Sequence, residues 1–169
     1  MWKNKPIIVI GLMGSGKTTV GRLLATSLGL PFSDSDMFLE QRYDTSAAEI
    51  VERDGAAGLH PLESEHVRTE LTGEPKVIAA AASTLEDAEV RALLRDPVVI
   101  WLDAADEVLA ERMRSSDHRP PFSPADMRAR RGRFFQEVAD LTYDVGVMTP
   151  EKVVAAVLRD LGSPTGDQG

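Results

Sequence analysis

The chain has 169 residues, 43% of them apolar, so one domain with a packed core is expected without covalent staples. It has no cysteine, which excludes disulfides, thiolate zinc sites and cysteine nucleophiles. A formal net charge of −8 gives no broad attraction to nucleic acid or to an anionic membrane, so any anionic ligand must be held by a local basic cluster.

The first apolar run, Pro6-Ile7-Ile8-Val9-Ile10, reads as a buried strand and is too short for a secretory h-region. A helix follows over Lys17–Leu28, with Val20, Leu23, Leu24 and Leu28 on one face and Gly29 as its stop. Pro31–Ser33 gives a short second strand, ended by Asp34-Ser35-Asp36. Helical patterns cover Met37–Tyr43, Ser46–Arg53 and Leu62–Leu71. Lys76–Ala80 is a third strand, Asp87–Leu94 a helix, and Val98–Leu102 a central strand. Ala105–Met113 is helical, Arg114–Asp126 a proline-bearing loop, Met127–Ala139 a basic helix and Leu141–Val145 a last strand. Glu151–Leu161 closes the series, with Thr149 placed to cap it and Pro150 at its first position. Alternating apolar strands and helices predict an α/β fold with a parallel sheet covered on both faces. A single domain over residues 1–162 is expected, with a disordered tail over 163–169. No stretch reaches the length of a membrane span, and a cytoplasmic monomer is expected.

Gly11-Leu12-Met13-Gly14-Ser15-Gly16-Lys17-Thr18 matches G-x-x-x-x-G-K-[ST] at every fixed position. It follows a strand and opens a helix, as its chemistry requires. Glycines let the backbone wrap a phosphate with its N–H groups inward, and the helix aims its positive end at the same group. ATP is therefore expected at Gly11, Met13, Gly14, Ser15, Gly16, Lys17, Thr18 and Thr19, with Lys17 on the β- and γ-phosphates and Thr18 holding Mg²⁺. The GTPase tetrapeptide Asn-Lys-x-Asp is absent, which leaves a small nucleotide-dependent kinase as the expected class.

Asp103 imitates a second metal-binding acid, but a cap for the following helix is the preferred reading. His60, His66 and His118 lack metal-ligand spacing. The basic run Arg128–Arg133 lacks interleaved aromatics, so anion-gripping side chains suit it better than a nucleic-acid patch.

At Gly11–Leu24, Asp34–Asp36, Arg119-Pro120 and Arg131–Ala139 the chain resembles the shikimate kinases, over about residues 5–160. The resemblance implies a three-layer α/β/α fold whose five-stranded parallel sheet has the order 2-3-1-4-5, with a lid near 114–126. It implies phosphoryl transfer from ATP to a hydroxyl of a small carboxylate, shikimate first, giving ADP. Kinases of gluconate-like sugar acids or cyclitols, and a non-catalytic nucleotide-binding relative, are the alternatives. By the same resemblance Asp34 orients Mg²⁺ through water. Asp36 binds the acceptor's hydroxyls, Arg119 is the lid arginine, with Arg128 a second candidate, and Arg131 takes the acceptor's carboxylate. Glu63 belongs to the acceptor site, and Val147–Pro150, through Met148 and Pro150, packs on adenine without the family's usual arginine there. Two departures concern the acceptor. Ala81-Ala82-Ser83 stands where the family has three glycines, and His60 stands where it has an arginine. Pro120-Pro121 also replaces a leucine pair in the lid.

Overall fold

The computed structural model describes residues 4–114 and 123–162. Five parallel strands form one sheet in the order β2-β3-β1-β4-β5, with β1 Ile7–Ile10, β2 Phe32–Asp34, β3 Val77–Ala79, β4 Val98–Asp103 and β5 Leu141–Asp144. The order and the parallel sense are those expected. All four residues of β1 are inaccessible to solvent, because the strand is central and both its faces are covered. Each such isoleucine or valine contributes about 1.5–3 kcal/mol by leaving water.

Seven α-helices accompany the strands among the described residues: α1 Lys17–Leu28, α2 Ser35–Tyr43, α3 Ala47–Leu71, α4 Ala88–Leu93, α5 Asp106–Arg114, α6 Pro124–Val138 and α7 Pro150–Gly162. A 3₁₀ helix covers Ala82–Glu86. Helix α1 packs against α7 and against β1, β2 and β3, while α3, α4 and α6 meet around the 3₁₀ helix. Trp101 of β4 stacks on Phe135 of α6, with ring centroids 5.7 Å apart. Thr149 does cap α7, its Oγ1 accepting from the Lys152 N–H at 3.3 Å.

Two element boundaries differ from those expected. Residues 54–61, which carry two glycines and a proline, read as a break between helices. The chain does break within that stretch, but over a single residue: Gly55 (φ 73°, ψ 179°) is non-helical, α3 continues on either side of it, and Pro61 lies in the second segment. A proline in a helix interior costs about 3 kcal/mol. Burial of Leu59, in a small cluster with Phe38, Leu39 and Ile50 and with Leu62 packed against it, offsets that cost. Helix α6 also begins three residues early. Ser123 caps it by accepting from the Asp126 N–H at 3.3 Å, and Pro124 suits a first turn. Most of the expected lid, with His118, Arg119, Pro120 and Pro121, lies outside the described residues, as does the tail.

Candidate active site

Because every strand runs the same way, the loops after β1, β2, β3 and β4 leave from one edge of the sheet. That edge gathers the chemistry-bearing residues, as open α/β sheets do. The glycine-rich loop turns directly from β1 into α1. Ser15 N–H donates to Leu12 O at 3.1 Å, and Lys17 Nζ folds back onto Gly11 O at 2.8 Å and Leu12 O at 3.3 Å. A Cβ at Gly11 would stand 2.6 Å from both Leu102 O and Ser15 Oγ, so only glycine fits. Ser15 is 1% exposed and its Oγ has no hydrogen-bond partner. A buried hydroxyl without a partner, inside a glycine-rich turn at the start of a helix, fits a phosphate oxygen. Thr18 and Thr19 are exposed at the start of α1.

Asp34 ends β2 and is buried. Its Oδ1 caps α2 by accepting from the Met37 N–H at 2.8 Å, which leaves Oδ2 for another partner. Asp36 lies exposed two residues on, in the first turn of α2. His60 and Glu63 sit three residues apart on α3, hence on one face. Ser83 Oγ donates to Glu63 Oε1 at 2.8 Å. Burial raises the pKa of Glu63. Ser83's hydrogen bond opposes the rise, Asp36 adds to it, and Arg131 and Lys17 oppose it. Glu63 therefore lies within electrostatic reach of Asp36, Arg131 and Lys17, which come from three other helices.

Arg131 is 6% exposed on α6; its Nη2 donates to Glu86 Oε2 at 3.2 Å and its Nε has no partner. Burial lowers the pKa of His60, and Arg131 lowers it further; Glu86 opposes this and Arg130 reinforces it. His60 is therefore neutral at pH 7. The segment Ala81-Ala82-Ser83 shows no positive φ, so its side chains bring no backbone strain.

Two expectations change at the far end of β4. Arg128 is not free to reach a phosphoryl group. Its Nε donates to Asp106 at 2.8 Å, Nη1 to Asp103 at 3.0 Å and Nη2 to Ala104 O at 2.6 Å, so it pins α6 to the β4–α5 connection. Asp103 does not cap α5. It accepts from Arg128 and from the Ala104 N–H, while Ala105 O closes the first turn of α5. Arg112 on α5 was passed over in the sequence. It donates to Gly14 O at 3.1 Å and Val145 O at 2.8 Å, joining the phosphate loop to the segment that carries Met148 and Pro150. No spacing rule marks it, since its partners lie 98 and 33 positions away.

The fold and this edge define a P-loop kinase of small molecules. A family model described as shikimate kinase matches residues 13–162. A shikimate kinase of Zymomonas mobilis is 37% identical over 168 residues, covering 93% of each chain. The solved shikimate kinase of Acinetobacter baumannii in complex with shikimate superposes with a TM-score of 0.86 at 26% identity, covering 95% of this chain and 94% of that one. That of Aquifex aeolicus superposes with a TM-score of 0.78 at 30% identity, covering 92% and 95%. The chain belongs to the shikimate kinase family.

Proposed function

We propose that the protein transfers the γ-phosphoryl group of ATP to a hydroxyl of shikimate, giving shikimate 3-phosphate and ADP, as a monomer in the cytoplasm. The observation that carries the acceptor is Arg131, a buried guanidinium whose Nε lacks a partner. Leaving such a donor unpaired costs about 1–3 kcal/mol, and a planar carboxylate supplies the acceptor it lacks. In the reaction the acceptor oxygen bonds to the γ-phosphorus and the bond from that phosphorus to ADP breaks. Asp36 takes the hydroxyl proton, and Lys17 offsets the charge on the phosphates. Glu63, His60 and Ser83 line the acceptor side, with Ala81 and Ala82 closing it. Arg112 ties the phosphate loop to the adenine-side segment, where Val147 is 81% exposed beside Met148.

The donor set fits magnesium. Thr18 and the remaining oxygen of Asp34 are hard oxygen ligands, and Mg²⁺ keeps waters and phosphate oxygens for the rest of its shell. Bound Mg²⁺ would supply charge neutralisation between the β- and γ-phosphates.

A second reading, a polyol or a different sugar acid as acceptor, is favoured by the neutral His60 where a second arginine is usual. Acceptor-dependent ADP release over shikimate, gluconate and a cyclitol separates the two. Turnover on shikimate is the expected result; silence there with turnover on another polyol reassigns the substrate. Tight Mg·ATP binding with no turnover on any of them would make the chain a nucleotide-binding relative without catalysis.

A further inference from the structure

The place proposed for the acceptor's carboxylate already contains a carboxylate. Glu86, the last residue of the 3₁₀ helix, sets Oε2 at 3.2 Å from Arg131 Nη2 and Oε1 at 3.6 Å from Arg130 Nε. The side chain of Arg131 is 7% exposed, that of Glu86 30% and that of Arg130 63%. The acid can therefore swing toward solvent, while the buried arginine cannot follow. Charges that face Arg131 come from three elements: Glu86 from the 3₁₀ helix, Arg130 from its own helix, and Glu63 from α3. His60, also on α3, is neutral at pH 7. Glu86 offsets one of the two arginine charges beside it, and the nearby position that could add another carries an uncharged ring.

We infer that Glu86 is a resident competitor for Arg131, and that it sets both the affinity for the acceptor and the preference for a carboxylate. The inference rests on Arg131 being the partner of the acceptor's carboxylate. An incoming carboxylate finds Arg131 Nε open and Nη2 engaged. If it binds beside Glu86, two anions share one guanidinium and repel. If Glu86 yields, an ion pair at a buried cation is broken and the acid turns toward the exposed Arg130. Both routes weaken binding relative to an arginine with no resident anion. An acceptor that carries no charge at this end meets no such repulsion. Glu86 thus discriminates against the anionic end of the substrate, while Arg131 attracts it.

Glu86→Gln keeps the shape and removes the charge. Steady-state kinetics are measured for the intact protein with shikimate and with its uncharged methyl ester, at low and high salt. Two unit charges about 4 Å apart repel enough, even in water, to change binding by about a factor of five. The KM for shikimate is expected to fall about fivefold in Glu86→Gln, with the change in KM rather than kcat. The KM for the ester should not move. The difference between variant and wild type should shrink at high salt, because the pair is partly exposed. Glu86→Thr, which also shortens the side chain, should lower the shikimate KM as well. A shikimate KM that is unchanged or raised in both variants overturns the inference, since Glu86 would then hold Arg131 in place for the substrate. Arg131→Lys tells this failure from a deeper one. If Arg131→Lys raises the shikimate KM while the Glu86 variants do not lower it, the inference alone fails. If Arg131→Lys leaves that KM unmoved, the assignment of Arg131 fails and the inference falls with it.

Discussion

His66 lies on α3 with no solvent exposure, its ring 5.1 Å from that of Phe38 and its Nε2 2.9 Å from Ser33 Oγ. Nδ1 has no partner. Burial drives its pKa down from 6.5 to about 4; Glu70 and Asp34 oppose the fall and Lys76 adds to it. The folded protein therefore keeps this ring neutral where the unfolded chain protonates it. Between pH 6.5 and about 4 the unfolded state binds a proton that the native state refuses, so stability is full above that window and falls as acid is added. Each pKa unit is worth about 1.4 kcal/mol, so the gap between 6.5 and about 4 amounts to about 3 kcal/mol. That is a large share of the roughly 5–15 kcal/mol that holds a domain together. His66→Gln retains a polar group for Ser33 and removes the titration. Urea unfolding of both proteins across this pH window is the assay. The wild type should lose about 3 kcal/mol more than the variant on going from neutral pH to below pH 4. Parallel stability curves would refute the reasoning, because the proton count on unfolding would then owe nothing to this ring. Ser33 directly precedes Asp34, so acid that loosens the His66 contact should also slacken the strand end that carries the metal-side acid.

Lys17→Ala should abolish turnover, whereas Asp36→Ala should lower it at least about a hundredfold and leave Mg·ATP binding intact by calorimetry. Wild-type turnover in Asp36→Ala would remove Asp36 from the acceptor site. Gly11→Ala places a methyl 2.6 Å from the backbone oxygen of Leu102, and the same calorimetry should show nucleotide affinity lost in a chain with native circular dichroism. Ser83→Ala removes a hydrogen bond that favours the charged form of Glu63. The pKa of Glu63, already raised by burial, should climb further, and the acid limb of the kcat/KM profile should move to higher pH; an unmoved limb would show that Glu63 does not govern it. Ile8→Ala, in the centre of the sheet, should cost about 2–5 kcal/mol by denaturant unfolding.

The phosphate loop was legible in the sequence because its code is local. Gly11 to Thr18 must wrap one phosphate within a few residues, so spacing alone carries the information. Strand positions were equally plain, since β1 and β4 are buried on both faces and read as unbroken apolar runs. The extent of α3 was not, because the break narrows to Gly55 and the helix resumes through Pro61, where the apolar cluster that Leu59 joins favours it. The arginines were legible only as a set. Their separate fates rest on partners far along the chain: Arg128 meets Asp106 22 positions away, and Arg131 meets Glu86 45 positions away. Chain order does not reveal those pairings. They exist because a parallel sheet returns the end of every strand to the same edge, where a guanidinium binds whichever acid the fold has set within its reach.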